Sequence, residues 1–116
     1  MNRMASLLVA LLCWTIQITP GHILRTIDGD TFILTAVRVW PGIAAVDERV
    51  RVLGVDTPEL NQPKGPEAKA FTETWLAQGP IALRVCKRDA FGRLLGEITR
   101  DGVNLADALR AAGMAK

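Results

Sequence analysis

Turn-forming residues divide most of this chain into short strand-like segments, and this pattern limits its possible folds more than any other feature. Five segments rich in β-branched or alternating apolar residues predict strands: 23–27, 31–39, 48–55, 81–87 and 94–99. An apolar stripe at helical spacing, opened by Pro66, separates the third strand from the fourth, and a second helix capped by Asn104 follows the fifth. The order predicts an α+β barrel of the OB type, with five strands and two helices, rather than a parallel sheet.

The remaining stretches are predicted to be loops and turns. Residues 42–47 follow a Trp-Pro-Gly break and are expected to form a loop, while 28–29 and 101–102 are Asp-Gly turn signals. A chain of 116 residues is long enough for one small domain.

The N-terminal segment has the pattern of a secretory signal peptide. Arg3 precedes an apolar run over 7–16, which is shorter than the roughly 20 residues needed to span a membrane. We therefore expect a leader or hydrophobic segment over 1–20, a folded domain over 21–116, and a secreted or periplasmic protein beginning near Gly21 or His22. The alternatives are an uncleaved membrane anchor formed by residues 5–16 and a start codon placed upstream of the true domain.

Removal of that leader affects the cysteines and the charge. If Cys13 leaves with the leader, Cys86 is alone, so we expect no internal disulfide and a small core residue on a strand. Loss of Arg3 lowers the formal net charge of +2 by one. Net charge therefore gives little support for a nucleic-acid partner, and any basic surface must come from local clusters.

Missing residue types exclude several kinds of catalysis. The only serine is Ser6, the only histidine is His22, and there is no tyrosine. A Ser-His-Asp triad, a tyrosine nucleophile and a two-histidine acid–base pair are excluded, as is a zinc site built from histidine and cysteine clusters. The chemistry of an enzyme with this sequence must come from Asp, Glu, Lys and Arg, with or without an oxygen-bound metal.

Three clusters lie where predicted strands end or turn, at 27–31, 51–59 and 89–93. Each alone has a structural explanation, such as a hairpin turn or a helix cap. Together they supply oxygen ligands for a hard cation such as Ca²⁺: the carboxylates of Asp30 and Asp56 and the backbone carbonyl of Thr57.

The same clusters supply groups that suit phosphodiester cleavage. Arg51 and Arg93 can each bind two oxygens of a phosphate with a planar, permanently charged guanidinium. Glu59 can orient or deprotonate the attacking water. A turn through Pro58 can bring Glu59 back toward the face that carries Arg51.

Several motifs occur in a fixed order along the chain. They are Ile-Asp-Gly-Asp-Thr at 27–31, Arg51 ahead of Asp-Thr-Pro-Glu at 56–59, Gly-Pro-Glu-Ala at 65–68, Phe-Gly-Arg at 91–93, and Asp-Gly at 101–102 ahead of Leu109. In this order the motifs resemble those of the staphylococcal nuclease (thermonuclease) family, over about residues 23–116.

The resemblance implies an OB-fold endonuclease that hydrolyses DNA and RNA with Ca²⁺ and leaves 3′-phosphates. It assigns the two catalytic arginines to Arg51 and Arg93 and the catalytic glutamate to Glu59. It assigns the calcium ligands to Asp30, Asp56 and Thr57.

The chain departs from the family pattern at three places. Ala90 and Phe91 stand where secreted members have a Lys-Tyr pair, the loop after Glu59 is short, and the sequence stops at Lys116 where the family usually continues into a last helix. Phe91 can still stack on a base of single-stranded DNA or RNA. We take Phe91 with the basic residues Lys87 and Arg88 as candidate substrate-binding residues, although a basic run is usually a solvated face.

Two other functions remain open from the sequence. One is a non-catalytic nucleic-acid-binding module of the same fold, weakened by a truncated C-terminus. The other is a fragment that folds only with a partner chain. Clustered acids beside a phosphate weaken simple binding, so the retained carboxylates favour the enzyme. The sequence leaves the oligomeric state open.

Overall fold

The computed structural model describes residues 13–35, 37–40, 43–45 and 47–116, with only the backbone described for 37–40 and 43–45. These residues form nine strands, a 3₁₀ turn at Pro20–His22 and two α-helices. The strands are β1 (Trp14–Ile18), β2 (Ile23–Asp28), β3 (Thr31–Leu34), β4 (Val37–Trp40), β5 (Ile43–Ala45), β6 (Glu48–Val52), β7 (Ile81–Arg88), β8 (Leu94–Arg100) and β9 (Val103–Asn104). The helices are α1 (Gly65–Ala77) and α2 (Leu105–Ala111).

The main sheet is mixed and runs in the order β1-β7-β8-β6-β3-β2, with β9 pairing with β8 and a separate β4–β5 hairpin. Strands β6 and β8 are parallel, and the other pairs are antiparallel. Helix α1 connects β6 to β7 and packs against β2. This is the open, OB-like α+β barrel that the order of strands and helices predicted.

The apolar residues of the strands and both helices fill one core. Phe32 of β3, Val50 of β6 and Leu83 of β7 are fully buried, and Leu105 and Leu109 of α2 belong to the same buried cluster. Burying such side chains is the main source of the domain's stability. The core thereby fixes the ends of β2, β3, β6 and β8, where the candidate site lies.

The local signals for helices are confirmed. Pro66 lies in the first turn of α1, and the Asn104 side chain accepts hydrogen bonds from Ala106 N (2.8 Å) and Asp107 N (3.3 Å) at the start of α2. These signals act within a few residues, so the sequence carries them directly.

The described residues form nine strands where five were predicted, and three segment predictions were wrong in detail. The segment predicted as one strand over 31–39 is divided into β3 and β4. The loop expected over 42–47 contains β5, which pairs with β4, while Gly42 and Val46 of that loop lie outside the described residues. The strand expected over 48–55 ends at Val52.

The structure places Trp14–Ile18, inside the segment expected to be a leader, in the sheet as β1. This strand pairs with β7, and Ile18 is fully buried in the core. The expectation that Cys86 is unpaired and packs in the core was wrong: Cys86 is exposed and forms a disulfide with Cys13. Alternation along β7 places Cys86 on the exposed face, opposite to the buried Leu83 and Val85. Because Trp14 of β1 pairs with Val85, Cys13 lies next to Cys86.

Candidate functional site

The described helices include none that is long and apolar enough to cross a membrane.

A pocket of about 220 Å³, lined by charged and polar residues, lies where β2, β3, β6 and β8 converge. Its lining residues are Asp28, Asp30, Thr31, Arg51, Asp56, Thr57, Glu59, Arg93 and Lys116. All six residues predicted to be catalytic or metal-binding are therefore brought together, from parts of the chain more than 60 residues apart in sequence.

Asp30 is the most enclosed acid of the pocket, with 6% of its surface exposed. Its Oδ2 accepts a hydrogen bond from Thr57 N (2.9 Å), and its Oδ1 accepts one from the Thr31 hydroxyl (3.1 Å). Burial acts to raise the pKa of Asp30, but these hydrogen bonds, the bond with Asp28 and the charge of Arg51 outweigh it and lower the pKa. Asp30 is thus held as a carboxylate.

Asp28 is a pocket acid that sequence reasoning did not single out, although it stands in the Asp-Gly-Asp motif. Its Oδ1 accepts a hydrogen bond from Asp30 N (3.1 Å). Burial, together with the neighbouring Asp30 carboxylate, raises the pKa of Asp28 to about 6. At weakly acidic pH, Asp28 is therefore largely protonated while Asp30 is a carboxylate.

The turn that carries these acids is packed tightly against α1. The Thr72 hydroxyl donates a hydrogen bond to the Gly29 carbonyl (2.6 Å), and both residues are buried. A Cβ on Gly29 would lie 2.7 Å from Thr57 Oγ1 and 2.8 Å from Ala68 Cβ, so only glycine fits there. Helix α1 thus fixes the position of the Asp28–Asp30 turn.

Arg51 lies on β6, where it is paired in register with Thr31 of β3. Its Nη1 donates to the carbonyls of Val52 (2.7 Å) and Val55 (2.8 Å). Its Nη2 lies 3.0 Å from Asp56 Oδ1 and 3.4 Å from Asp30 Oδ2. The backbone bonds hold one side of the guanidinium, and the other side contacts Asp30 and Asp56, two of the three predicted metal ligands.

Glu59 lies in the short loop between Thr57 and α1. Its backbone N–H donates to Gln62 Oε1 (2.8 Å), and its carbonyl accepts from Gln62 N (2.9 Å). The loop closes so tightly on α1 that a Cβ on Gly65 would overlap the Glu59 carbonyl. Within the described part of the chain, the Glu59 carboxylate itself makes no hydrogen bond or ion pair, and the residue is exposed.

Arg93 directly precedes β8 and lines the pocket. Its Nε donates to Asp89 Oδ2 (2.6 Å), and its guanidinium lies 5.4 Å from the centre of the Phe91 ring.

The backbone of Lys116 reaches the pocket too, because Lys116 N donates to the Asp56 carbonyl (2.7 Å). That contact joins residues 60 positions apart, and no local signal predicts it.

The three predicted substrate-binding residues lie beside the pocket rather than in its lining. Phe91 is 85% exposed, and Lys87 is exposed at the end of β7. Arg88 forms an ion pair with Glu48 and donates to the Gly92 carbonyl (2.9 Å), so its guanidinium holds the β7–β8 turn. Their contribution to substrate binding stays a prediction.

Within the described residues, no group of three or more His, Cys, Asp or Glu side chains is arranged to hold a metal ion. The available oxygen donors are the carboxylates of Asp28, Asp30 and Asp56 and the backbone and hydroxyl oxygens of Thr57. The Thr57 hydroxyl is buried without a hydrogen-bond partner, which leaves a polar atom at this position unsatisfied.

The fold and this pocket define the class to which the chain belongs, a small OB-like barrel with acids and arginines gathered at one end of its strands. Residues 49–116, more than half of the chain, match the family model described as Staphylococcal nuclease homologue. The chain belongs to the staphylococcal nuclease family.

Individual relatives agree with this assignment. The chain is 27% identical, over 99% of its length and 72% of the relative's, to a protein of Escherichia coli O157:H7 named "Uncharacterized endonuclease". It is 37% identical to the thermonuclease of Staphylococcus intermedius, over 64% of this chain and 45% of that protein. It is 30% identical to the thermonuclease of Staphylococcus hyicus, over 81% of this chain and 56% of that protein. The chain thus spans about half the length of the two thermonucleases.

Proposed function

We propose that this protein is a Ca²⁺-dependent endonuclease that hydrolyses phosphodiester bonds of single-stranded DNA and RNA and leaves 3′-phosphates. The observation that supports it best is the convergence of Arg51, Arg93 and Glu59 on one polar pocket that also contains carboxylates. Two permanent cations beside several acids suit a reaction that needs both a bound phosphate and an activated water.

The donor set fits a calcium ion. Asp30, held as a carboxylate, and Asp56 supply hard anionic oxygens, and Thr57 supplies its backbone carbonyl. The unpartnered Thr57 hydroxyl adds a polar group that has nothing to bond to in the protein alone. A bound calcium ion would supply positive charge that polarises the phosphate group.

The protein's own side chains supply the other parts of the reaction. Arg51 is fixed by the carbonyls of Val52 and Val55, and its Nη2 pairs with Asp56 and Asp30. Were a calcium ion to hold these carboxylates, Nη2 would be available to bind a phosphate oxygen. Arg93 presents a second guanidinium, and the two can stabilise the charge that builds on the equatorial oxygens. The unpaired carboxylate of Glu59 can hold the attacking water and accept its proton.

The disulfide supports our proposal that the protein is exported. Disulfides form and persist mainly in secreted or periplasmic proteins. A mature protein beginning near Gly21 would lose both Cys13 and β1, whereas the described domain uses both. We therefore propose that the nuclease domain begins at about Cys13 rather than at Gly21, and that any leader is confined to the residues before it.

Cleavage of end-labelled single-stranded DNA and RNA by the purified chain tests the proposed function. We expect cleavage with Ca²⁺, none with a calcium chelator, recovery on re-addition of Ca²⁺, and products that end in 3′-phosphates. Glu59→Gln keeps the shape of the side chain and removes the base, so the rate should fall about 100- to 10,000-fold.

Glu67→Gln is the matched control, because Glu67 is an exposed glutamate in the first turn of α1, outside this pocket. It should cleave at the wild-type rate. Cleavage that persists in the chelator would remove Ca²⁺ from the mechanism. Folded wild type that binds these nucleic acids without cutting them would favour the non-catalytic binding module instead.

A further inference from the structure

The turn between β7 and β8 is folded around one carboxylate, that of Asp89. Asp89 Oδ1 accepts hydrogen bonds from Phe91 N (2.9 Å) and Arg93 N (2.9 Å). The backbone of the turn adds bonds from Asp89 N to the Arg93 carbonyl (2.9 Å) and from Gly92 N to the Asp89 carbonyl (3.1 Å). One carboxylate oxygen therefore accounts for the shape of the turn.

The second oxygen of the same carboxylate makes a different kind of contact. Asp89 Oδ2 accepts the bond from Arg93 Nε (2.6 Å), while the Phe91 ring lies against the guanidinium. In the described part of the chain, these contacts engage Nε and a face of the guanidinium, and neither terminal nitrogen of Arg93 has a hydrogen-bond partner. The terminal nitrogens are the pair that can bind two phosphate oxygens.

We propose that Asp89 is a positioning residue for the proposed nuclease reaction, and that it holds Arg93 so that both terminal nitrogens face the pocket. The inference rests on the proposed function. An arginine side chain has many rotamers, and a phosphate-binding guanidinium must be held in one of them before the transition state is reached. The Nε contact removes most of this freedom and leaves the binding edge open.

The charge of Asp89 makes its effect distinguishable from that of a binding residue. Hydrogen bonds from Arg93 and Phe91 outweigh the effect of burial and hold the pKa of Asp89 below its usual value, so it is anionic at neutral pH. An anion beside Arg93 weakens the attraction of that arginine for a phosphate in the ground state. Loss of the charge should therefore leave KM unchanged or lower it, while kcat falls because Arg93 is no longer held in place.

Asp89→Asn separates the two roles of the carboxylate. Its amide oxygen can still accept the bonds from Phe91 N and Arg93 N, but the amide nitrogen that replaces Oδ2 cannot accept from Arg93 Nε. We expect kcat to fall about 10- to 100-fold with no rise in KM and little change in melting temperature. Glu97→Gln is the control, because it removes an exposed carboxylate on β8 whose partner is Arg84 (3.5 Å), and it should leave both constants unchanged.

A double-mutant cycle identifies the route of the effect. If Asp89 acts through Arg93, Asp89→Asn should have no further effect on kcat in an Arg93→Ala background. Additive losses would overturn the inference, as would an Asp89→Asn protein with wild-type kcat. If wild type itself does not cleave, the proposed function fails; if wild type cleaves and Asp89→Asn cleaves at the same rate, only this inference fails.

A spectroscopic measurement does not depend on activity or on the stability of the variant. The Nε–H proton of Arg93 in the folded wild-type protein should exchange with solvent more slowly than that of Arg84, whose contact with Glu97 is exposed and made through Nη1. Equal exchange rates for the two protons would overturn the inference.

Discussion

Thr72 connects α1 to the turn that carries the pocket acids, and its removal gives a sharp test of how the site is supported. The Thr72 hydroxyl donates to the Gly29 carbonyl at 2.6 Å across 43 positions of sequence, in a fully buried environment. Thr72→Val replaces the hydroxyl by a methyl group of similar size, so the Gly29 carbonyl loses this bond in a place that water does not reach.

The expected cost follows from that burial. A buried acceptor left without its partner costs about 1–3 kcal/mol of stability. Threonine and valine have similar helix propensities, so the helix itself should contribute little to the difference. In a domain of this size each kcal/mol lowers the melting temperature by about 4–8 °C, so we expect a fall of at least about 4 °C.

Thermal and urea unfolding of the variants measure this cost, with Thr74→Val as the control. Thr74 lies on the same helix but is exposed, so its substitution should change stability by less than about 0.5 kcal/mol. Equal stability of Thr72→Val and Thr74→Val would refute the claim that this hydrogen bond secures the turn.

Two further predictions concern the disulfide and the pair of pocket acids. Reduction of the Cys13–Cys86 disulfide, which joins residues 73 positions apart, should lower the free energy of unfolding by about 4 kcal/mol, and an unchanged urea midpoint with reductant would contradict this. In calcium-free buffer, stability should fall as pH rises from about 4 to about 6, because the folded chain binds a proton at Asp28 (pKa about 6) more tightly than the unfolded chain does at the ordinary value of 3.8. Asp28→Asn should flatten this dependence of stability on pH. Asp30, whose pKa is lowered, changes stability in the opposite direction, but at pH values below this window. Identical slopes for wild type and Asp28→Asn would contradict the assignment.

The features that the sequence predicted depend on contacts between near neighbours. Pro66 and Asn104 mark helix starts because their effects act within one helical turn, and the Asp-Gly turn at 28–29 follows from the same kind of local preference. The candidate site was predicted from short motifs at strand ends and from their resemblance to the staphylococcal nuclease family, and these ends meet once the strands pair.

The features that the sequence did not predict depend on pairing between distant segments. An apolar run near the N-terminus is typical of a leader, and only its register with β7 shows that Trp14–Ile18 is a strand. Alternation in β7 already places Cys86 on the exposed face, but its disulfide with Cys13 depends on the pairing of β7 with β1, which the sequence does not reveal. The packing of Lys116 against Asp56 and the hold of Asp89 on Arg93 Nε require the folded backbone to be known.

The central claim is that the arginines of the pocket act in bond cleavage rather than only in binding. The most direct test measures kcat with Ca²⁺ and, separately, the Kd for single-stranded DNA in a chelator, for wild type, Arg51→Lys, Arg93→Ala and the exposed control Arg84→Ala. The account predicts that Arg93→Ala lowers kcat about 100- to 1,000-fold with a much smaller change in Kd. Arg51→Lys should also slow cleavage, because lysine lacks the planar guanidinium that binds two oxygens. Arg84→Ala should match wild type. Wild type that holds the DNA uncut, or losses in Kd as large as those in kcat for Arg51→Lys and Arg93→Ala, would contradict it.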